Sequence, residues 1–179
     1  EKEHLEHLHL INVLEQTKEA LRNDDVLKLK ELSNQTIHSA STEQDTDSIT
    51  IAIVIYSLSK IIERKHQYGE KECKEFAQFA SREIENVLGI LKKDGEGAFT
   101  KSLEGLMKRL AKSSKEFKSH INEVFEKARI NKASKIYEHG ISMETTASLL
   151  GITMFELAGY AGQKQVVSEE KEEKTISTK

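Results

Sequence analysis

The feature that most constrains this chain is the complete absence of proline from its 179 residues. Proline interrupts helices and is common in turns, and a β-rich fold of this length needs many turns. The nine glycines fall at a few places along the chain instead of recurring regularly. Long helices are therefore predicted, and the predicted fold class is all-α.

Charge and cysteine content narrow the classes of protein to which the chain can belong. The formal net charge is −3, so the chain as a whole has no general attraction to nucleic acid. The single cysteine, Cys73, excludes an internal disulfide framework and favours a reducing, cytoplasmic location. Residues 1–4 lack the basic and apolar pattern of a secretory signal. The most apolar run, 49–62, is shorter than the roughly 20 residues that cross a bilayer, so no membrane partner is predicted.

The spacing of apolar residues predicts a bundle of about five helices. The first covers about 5–22, and the second follows a cap at 23–25. Residues 39–48 are polar and predict a loop that ends in an N-cap at Asp47 or Ser48.

The third apolar run, 49–62, is open to two interpretations. Its alternating isoleucines favour a strand: Ile49, Ile51, Ile53 and Ile55. A lone strand would leave its backbone groups unpaired, and the pattern continues through Leu58 and Ile61 at helical spacing. We therefore predict a helix that is buried on most sides and central to the bundle.

Two further helices complete the predicted bundle. Gly69 precedes the fourth, which ends at 94–97, and its inward side chains are predicted to be Cys73, Phe76, Ala77, Ala80, Ile84, Val87, Leu88 and Leu91. The fifth is predicted as one long helix over about 100–129, with a seam of Leu103, Leu106, Leu110, Ser114, Phe117, Ile121, Val124 and Ala128.

The apolar phase of the fifth helix fails after Arg129. Either the helix breaks near Asn131, or it continues and presents a new face to a second core. The predicted domains are a helical bundle at 1–130, a small helix-turn-helix unit at 131–162 and a disordered tail at 163–179.

Residues 142–160 carry the most informative motif. Ser142 is predicted to cap a helix over 143–150, Gly151 to make a tight turn, and Thr153 to cap a last helix over 154–160. The spacing of Ala147, Gly151 and Leu157 resembles the helix-turn-helix of DNA-binding regulators.

Residues 136–160 more closely resemble short archaeal and bacterial helix-turn-helix proteins of the antitoxin type. The matching residues are Tyr137, Glu138, His139, Gly140, Ile141 and Ser142, followed by Ala147, Leu150, Gly151 and Ile152. The resemblance implies an element that binds promoter DNA or packs against a partner. The first 130 residues resemble only uncharacterised archaeal helical proteins, which implies no activity.

The last helix is a poor reader of base sequence. Its N-terminal positions are Thr153, Met154, Phe155, Ala158 and Gly159, and Lys164 is the nearest basic residue after them. None of these N-terminal residues is Arg, Lys, Asn or Gln, the side chains that read base edges by paired hydrogen bonds. The alternative is that Met154, Phe155 and Tyr160 dock on a protein.

A basic stripe lies on the predicted fifth helix, opposite its apolar seam. It consists of Lys101, Lys108, Lys112 and Lys115, with Arg109 and Lys118 beside it. Such a row can follow a phosphate backbone without reading its sequence, although an ordinary solvated helix face is the more common explanation.

Sites for metal or catalysis are weakly indicated. His4 and His7 share a helix face at a fraying terminus, but His9 points away from that face. A metal site there would therefore lack a third histidine ligand. A second group comprises His38 with the acidic loop residues Glu43, Asp45 and Asp47, for which capping is the simpler explanation. Cys73 is predicted to be a buried structural thiol.

The predicted function is non-enzymatic regulation associated with nucleic acid. The C-terminal helix-turn-helix and the basic stripe would form the contact surface, and double-stranded DNA would be the partner. The alternative is a protein-interaction or scaffold module that binds a partner protein or a second copy of this chain. No cofactor, metal or small-molecule substrate is predicted, and a metal-dependent enzyme using His38 is the weakest class considered.

Overall fold

The computed structural model describes residues 2–113, 118–150 and 152–159. Over these residues all regular structure is helical, which confirms the all-α prediction. A helical segment at 154–159 follows nine helices: α1 (Lys2–Arg22), α2 (Val26–Glu43), α3 (Thr46–Glu63), α4 (Lys65–Tyr68), α5 (Glu70–Asp94), α6 (Glu96–Glu104), α7 (Leu106–Lys112), α8 (Lys118–Glu138) and α9 (Met143–Leu150). The predicted tail at 163–179 lies outside the described residues.

The helix α3 occupies the centre of the fold. It packs against α2, α8 and α9, and α1 packs against both α2 and α5. Every residue at 51–55 and 57–59 is buried. A helix can bury such a run on all sides because its backbone hydrogen bonds are satisfied internally. The helical interpretation of this run is thus confirmed.

The prediction for α5 is also confirmed in detail. All eight side chains that were predicted to face inward are buried. Gly69 (φ +100°) and Gly95 (φ +84°) precede and follow the helix with left-handed backbone angles that favour glycine. One apolar face and two glycines were sufficient to define this element.

The predicted loop at 39–48 is wrong in extent, because α2 continues to Glu43. The hydroxyls of Ser41 and Thr42 donate to the carbonyl oxygens four residues earlier, at 2.7 and 3.2 Å. These polar side chains are therefore satisfied inside a helix. The remaining connection to α3 turns at Gln44, which has a left-handed φ of 55°.

The N-cap of α3 is Asp45, not Asp47 or Ser48 as predicted. Its carboxylate accepts hydrogen bonds from the backbone N–H groups of Asp47 (3.1 Å) and Ser48 (3.3 Å). These two donors have no partner within the helix, so the earlier aspartate is the one placed to cap them.

The predicted single helix at 100–129 is wrong, because α6, α7 and α8 replace it. The first break lies at Gly105, where Arg109 donates to the carbonyl oxygen of Ser102 at 3.0 Å. A continuous helix would use that carbonyl for the N–H of residue 106. The guanidinium is held in place by Glu83 on α5, with an Nε–Oε2 distance of 2.6 Å.

The helix α8 continues through position 131 without a break. The apolar residues after Arg129 therefore lie on a different face of the same helix and pack against other helices. A second core joins α8 to α2, α3 and α9 through Ala128, Ile136, Ile37, Ile49, Ile53 and Leu149. A third cluster contains Ala133, Ala147 and Leu157. The division of the chain into domains at residue 130 stays a prediction.

Candidate functional site

The two short C-terminal helices begin with side-chain caps, as the sequence predicts. At α9 the Ser142 hydroxyl accepts a hydrogen bond from the backbone N–H of Thr145 at 3.2 Å. The hydroxyl of Thr146 donates to the Ser142 carbonyl oxygen at 2.7 Å. The bond from Thr145 satisfies an N–H that the first helical turn leaves unpaired, and the bond from Thr146 adds to the backbone bond that the Ser142 carbonyl already accepts.

The segment 154–159 begins with a reciprocal cap between Thr153 and Glu156. The Thr153 hydroxyl accepts from the Glu156 N–H at 3.1 Å, and a Glu156 carboxylate oxygen accepts from the Thr153 N–H at 2.7 Å. The bond from the Thr153 backbone lowers the pKa of Glu156. The Thr-x-x-Glu spacing is the sequence signal for this arrangement. The sequence analysis predicted the cap at Thr153 but not the part that Glu156 takes in it.

Small and aliphatic side chains hold the two helices against α8. Ala147 and Leu157 pack with Ala133, and Leu150 and Ile152 lie against the same cluster. These contacts match the inner face that the motif predicts. Gly151, Tyr160 and Gly162 lie outside the described residues.

Two large apolar side chains at the start of the segment 154–159 face solvent. Met154 is 49% exposed and Phe155 is 88% exposed, the highest value among the large apolar side chains that the structure describes. Ala158 and Gly159 are also exposed. The accessible surface of this helix is thus apolar, with one acidic group at Glu156.

The predicted basic stripe is divided between helices. Lys101 lies on α6, whereas Lys108 and Lys112 lie one turn apart on α7. All three are exposed, and none has a side-chain ion pair or hydrogen bond within the described ranges. Lys115 and Lys164 lie outside the described residues. Lys108 and Lys112 are four residues apart on α7 and so share one face, while a face shared with Lys101 and Lys115 stays a prediction.

Arg109, which the sequence places beside the stripe, makes contacts within the fold. Its Nε donates to Glu83 and its Nη2 to the Ser102 carbonyl oxygen, so two of its five N–H donors are engaged. Phosphate contact by Arg109 would have to compete with these bonds.

The predicted cluster of His38 with the acidic loop is not what the structure brings together. Asp45 caps α3, and Asp47 accepts a hydrogen bond from the Thr100 hydroxyl at 2.5 Å. His38 instead contacts His139, 101 residues further along the chain. The side chain of Glu43 lies outside the described residues.

A buried cation that the sequence did not predict lies at the junction of α2, α3 and α8. Lys132 is 0% exposed, and its Nζ lies 3.3 Å from the Asn34 side-chain oxygen and 4.5 Å from the centre of the Tyr56 ring. Burial, and secondarily the charge of Lys135, lowers the pKa of Lys132 to about 8. No local pattern signals such a lysine, because its surroundings come from distant helices.

Cys73 is buried, as predicted. Its thiol lies 3.8 Å from the Ile61 carbonyl oxygen, and burial raises its pKa, which disfavours the thiolate at neutral pH. Beside it, a cleft of about 710 Å³ lies between α1 and α5. Basic and acidic groups share its rim, including the ion pair of Lys65 and Asp24 at 3.9 Å.

Metal and membrane sites were also sought in the described part of the chain. It contains no group of three or more His, Cys, Asp or Glu side chains arranged to hold a metal ion. None of its helices has the length and apolar character needed to cross a membrane.

Comparisons with known proteins found no matching family model, no matching curated protein and no matching solved structure. The function must therefore be inferred from the surfaces themselves.

Proposed function

We propose that the chain is a non-enzymatic protein-interaction module. Residues 142–159 act as a helix-turn-helix that presents Phe155 and Met154 to a partner protein. The observation that carries this proposal is the 88% exposure of Phe155 at the first turn of a capped helix. Large aromatic side chains at such positions commonly anchor protein interfaces.

Other side chains than Phe155 attach this helix to the fold. Leu157 is fully buried and attaches the segment to the rest of the chain, while Thr153 and Glu156 cap its start. Exposing an aromatic ring to water is unfavourable by the free energy that its burial would release, roughly 2 kcal/mol for such a side chain. A partner that covers Phe155 would recover that free energy.

The chemistry of this surface favours a protein over DNA. Reading bases requires free donors and acceptors at the helix start. The exposed side chains there include a methionine and a phenylalanine, and the polar side chains of Thr153 and Glu156 are bonded to each other in the cap. The carboxylate of Glu156 lies at the same end and repels phosphate. The expected partner therefore offers an apolar pocket for Phe155, with a basic side chain near its rim.

A photo-crosslinking experiment tests this proposal. Benzoylphenylalanine placed at position 155 should crosslink a defined protein in cells, and the purified partner should lose affinity for Phe155→Ala. The matched control places the same probe at Leu27 on α2, which is 68% exposed. The proposal fails if both positions capture the same proteins, or if Phe155→Ala binds the captured partner as tightly as the wild type.

Nucleic-acid association is the second candidate. Its support is the exposure of the lysines at 101, 108 and 112, which have no side-chain partner among the residues that the structure describes. Binding of duplex DNA should then weaken with salt: the logarithm of the binding constant should fall linearly with the logarithm of the salt concentration, with a slope of about −0.9 for each phosphate contacted. Lys108→Glu combined with Lys112→Glu should abolish it. The control pair, Lys71→Glu with Lys74→Glu, removes two exposed lysines from α5. Absence of wild-type binding at low salt would eliminate this candidate.

A further inference from the structure

The imidazole rings of His38 and His139 meet at the surface between α2 and the end of α8. The Nδ1 of His38 lies 2.7 Å from the Nε2 of His139. The ring centres are 4.8 Å apart, and the ring planes are inclined by 60°. Both side chains are exposed, so an ion from solvent can reach the two nitrogens.

The protons of this pair follow from one further contact. The Nδ1 of His139 lies 2.7 Å from the carbonyl oxygen of Lys135, which can only accept a hydrogen bond. Nδ1 of His139 therefore carries its proton, and in the neutral ring Nε2 bears the lone pair. His38 then donates its Nδ1–H to that lone pair.

We propose that His38 and His139 bind a divalent transition-metal ion of the zinc class, in exchange for the hydrogen bond that joins them. Neutral imidazole is a preferred ligand of such ions. A metal-binding histidine usually donates its other N–H to a carbonyl or carboxylate, which fixes the ring and its tautomer. His139 already has this arrangement through Lys135.

Converting the hydrogen-bonded pair into a metal site requires the rings to separate and to tilt. Zinc–nitrogen bonds of about 2.0–2.1 Å at a tetrahedral centre place two ligand nitrogens about 3.3 Å apart, so the observed 2.7 Å must widen by about 0.6 Å, and each ring must turn by roughly 35° to point its nitrogen at the ion. His38 changes tautomer and carries its proton on the exposed Nε2, so the pair stays neutral. Water completes the coordination, because no third ligand joins the pair within the described residues.

Two protein ligands and a nearby lysine make this an exchangeable site. The charge of Lys135, one turn before His139, disfavours a cation, and a permanent structural zinc has four protein ligands. The bound ion would tie α2 to His139, which directly follows α8. Gly140 and the cap residue Ser142 then lead into α9. We therefore expect metal to slow opening of the first turn of α9.

Calorimetry with ZnCl₂, and absorption spectroscopy with CoCl₂, test this site in the full chain. All proteins carry His4→Ala and His7→Ala, which removes the other closely spaced histidines. One equivalent of ion should bind, and His38→Ala or His139→Ala should weaken it by more than about tenfold, since loss of even a second-shell contact costs 10–100-fold. His66→Ala, which removes an exposed histidine on α4, should leave affinity unchanged.

Imidazole nitrogen NMR of the protein with both histidines intact tests the same site without relying on their substitution. Zinc should shift Nδ1 of His38 and Nε2 of His139, and amide exchange at 143–146 should slow. Unchanged ring signals at saturating zinc would overturn the proposal. So would equal affinity in His38→Ala, or an equal loss of affinity in His66→Ala.

Discussion

The central helix α3 and the segment 154–159 both carry large apolar side chains, but they use them in opposite ways. On α3 the side chains of Ile55 and Leu58 are almost completely buried and belong to the main core. In the segment 154–159 only Leu157 is buried, while Met154 and Phe155 face water. Apolar character on α3 is explained by folding, whereas at Phe155 it is the feature on which the proposed interaction with a partner protein depends.

The largest expected effect separates these two uses directly. Leu58→Ala should lower the free energy of unfolding by roughly 2–5 kcal/mol, because it leaves a cavity in a packed core. Phe155→Ala should change it by less than about 0.5 kcal/mol, because the ring is 88% exposed. Chemical denaturation measures both. A large loss for Phe155→Ala would mean that the ring helps to hold the fold.

A second prediction concerns Lys132, which lies where α8 meets α3 through Tyr56. Its pKa is about 8 in the folded protein against an ordinary value of 10.5, so the unfolded chain binds more protons between these pH values. Stability should therefore rise with pH in this window, by about 2 kcal/mol between pH 8 and 10.

The matched variant for this prediction is Lys132→Met, which keeps the length of the side chain without its charge. The free energy of unfolding of the wild type, minus that of Lys132→Met, should rise with pH. The contributions of other titrating groups are the same in both proteins and cancel in this difference. A difference that stays constant from pH 8 to 10 would show that Lys132 keeps its ordinary pKa.

The smallest expected effect is local to the segment 154–159. Thr153→Ala removes one side of the reciprocal cap and should cost about 1 kcal/mol. Amide hydrogen exchange should quicken at 156–159 and stay constant in α3. Equal acceleration in both places would indicate that the C-terminal segment and α3 unfold as one unit.

The elements that were predicted best are those whose own residues determine them. The inward face of α5 and the caps at Ser142 and Thr153 depend on spacing within a few helical turns. The predictions failed where the end of a helix depends on a distant residue, or on a hydroxyl that donates to the carbonyl oxygen four residues earlier. At the break at Gly105, Arg109 binds both the Ser102 carbonyl oxygen and Glu83 on α5, and no local pattern shows these contacts.

The candidate sites divide in the same way. Exposure of Met154 and Phe155 is compatible with the motif pattern, because the inner positions were already assigned to Leu150, Ile152 and Leu157. The contact between His38 and His139 spans 101 residues, and a single sequence carries no signal for it. The buried environment of Lys132 is likewise assembled from α2, α3 and α8.

The continuity of α8 has a consequence for any binding event at Phe155. Because the helix contributes Ala128 and Ile136 to one core and Ala133 to the next, one continuous helix packs against both the bundle and the C-terminal helices. A partner would meet a preorganised surface, and the conformational entropy of arranging it is lost when the chain folds, before association. Slow dissociation, more than fast association, should then be the kinetic signature of a tight complex.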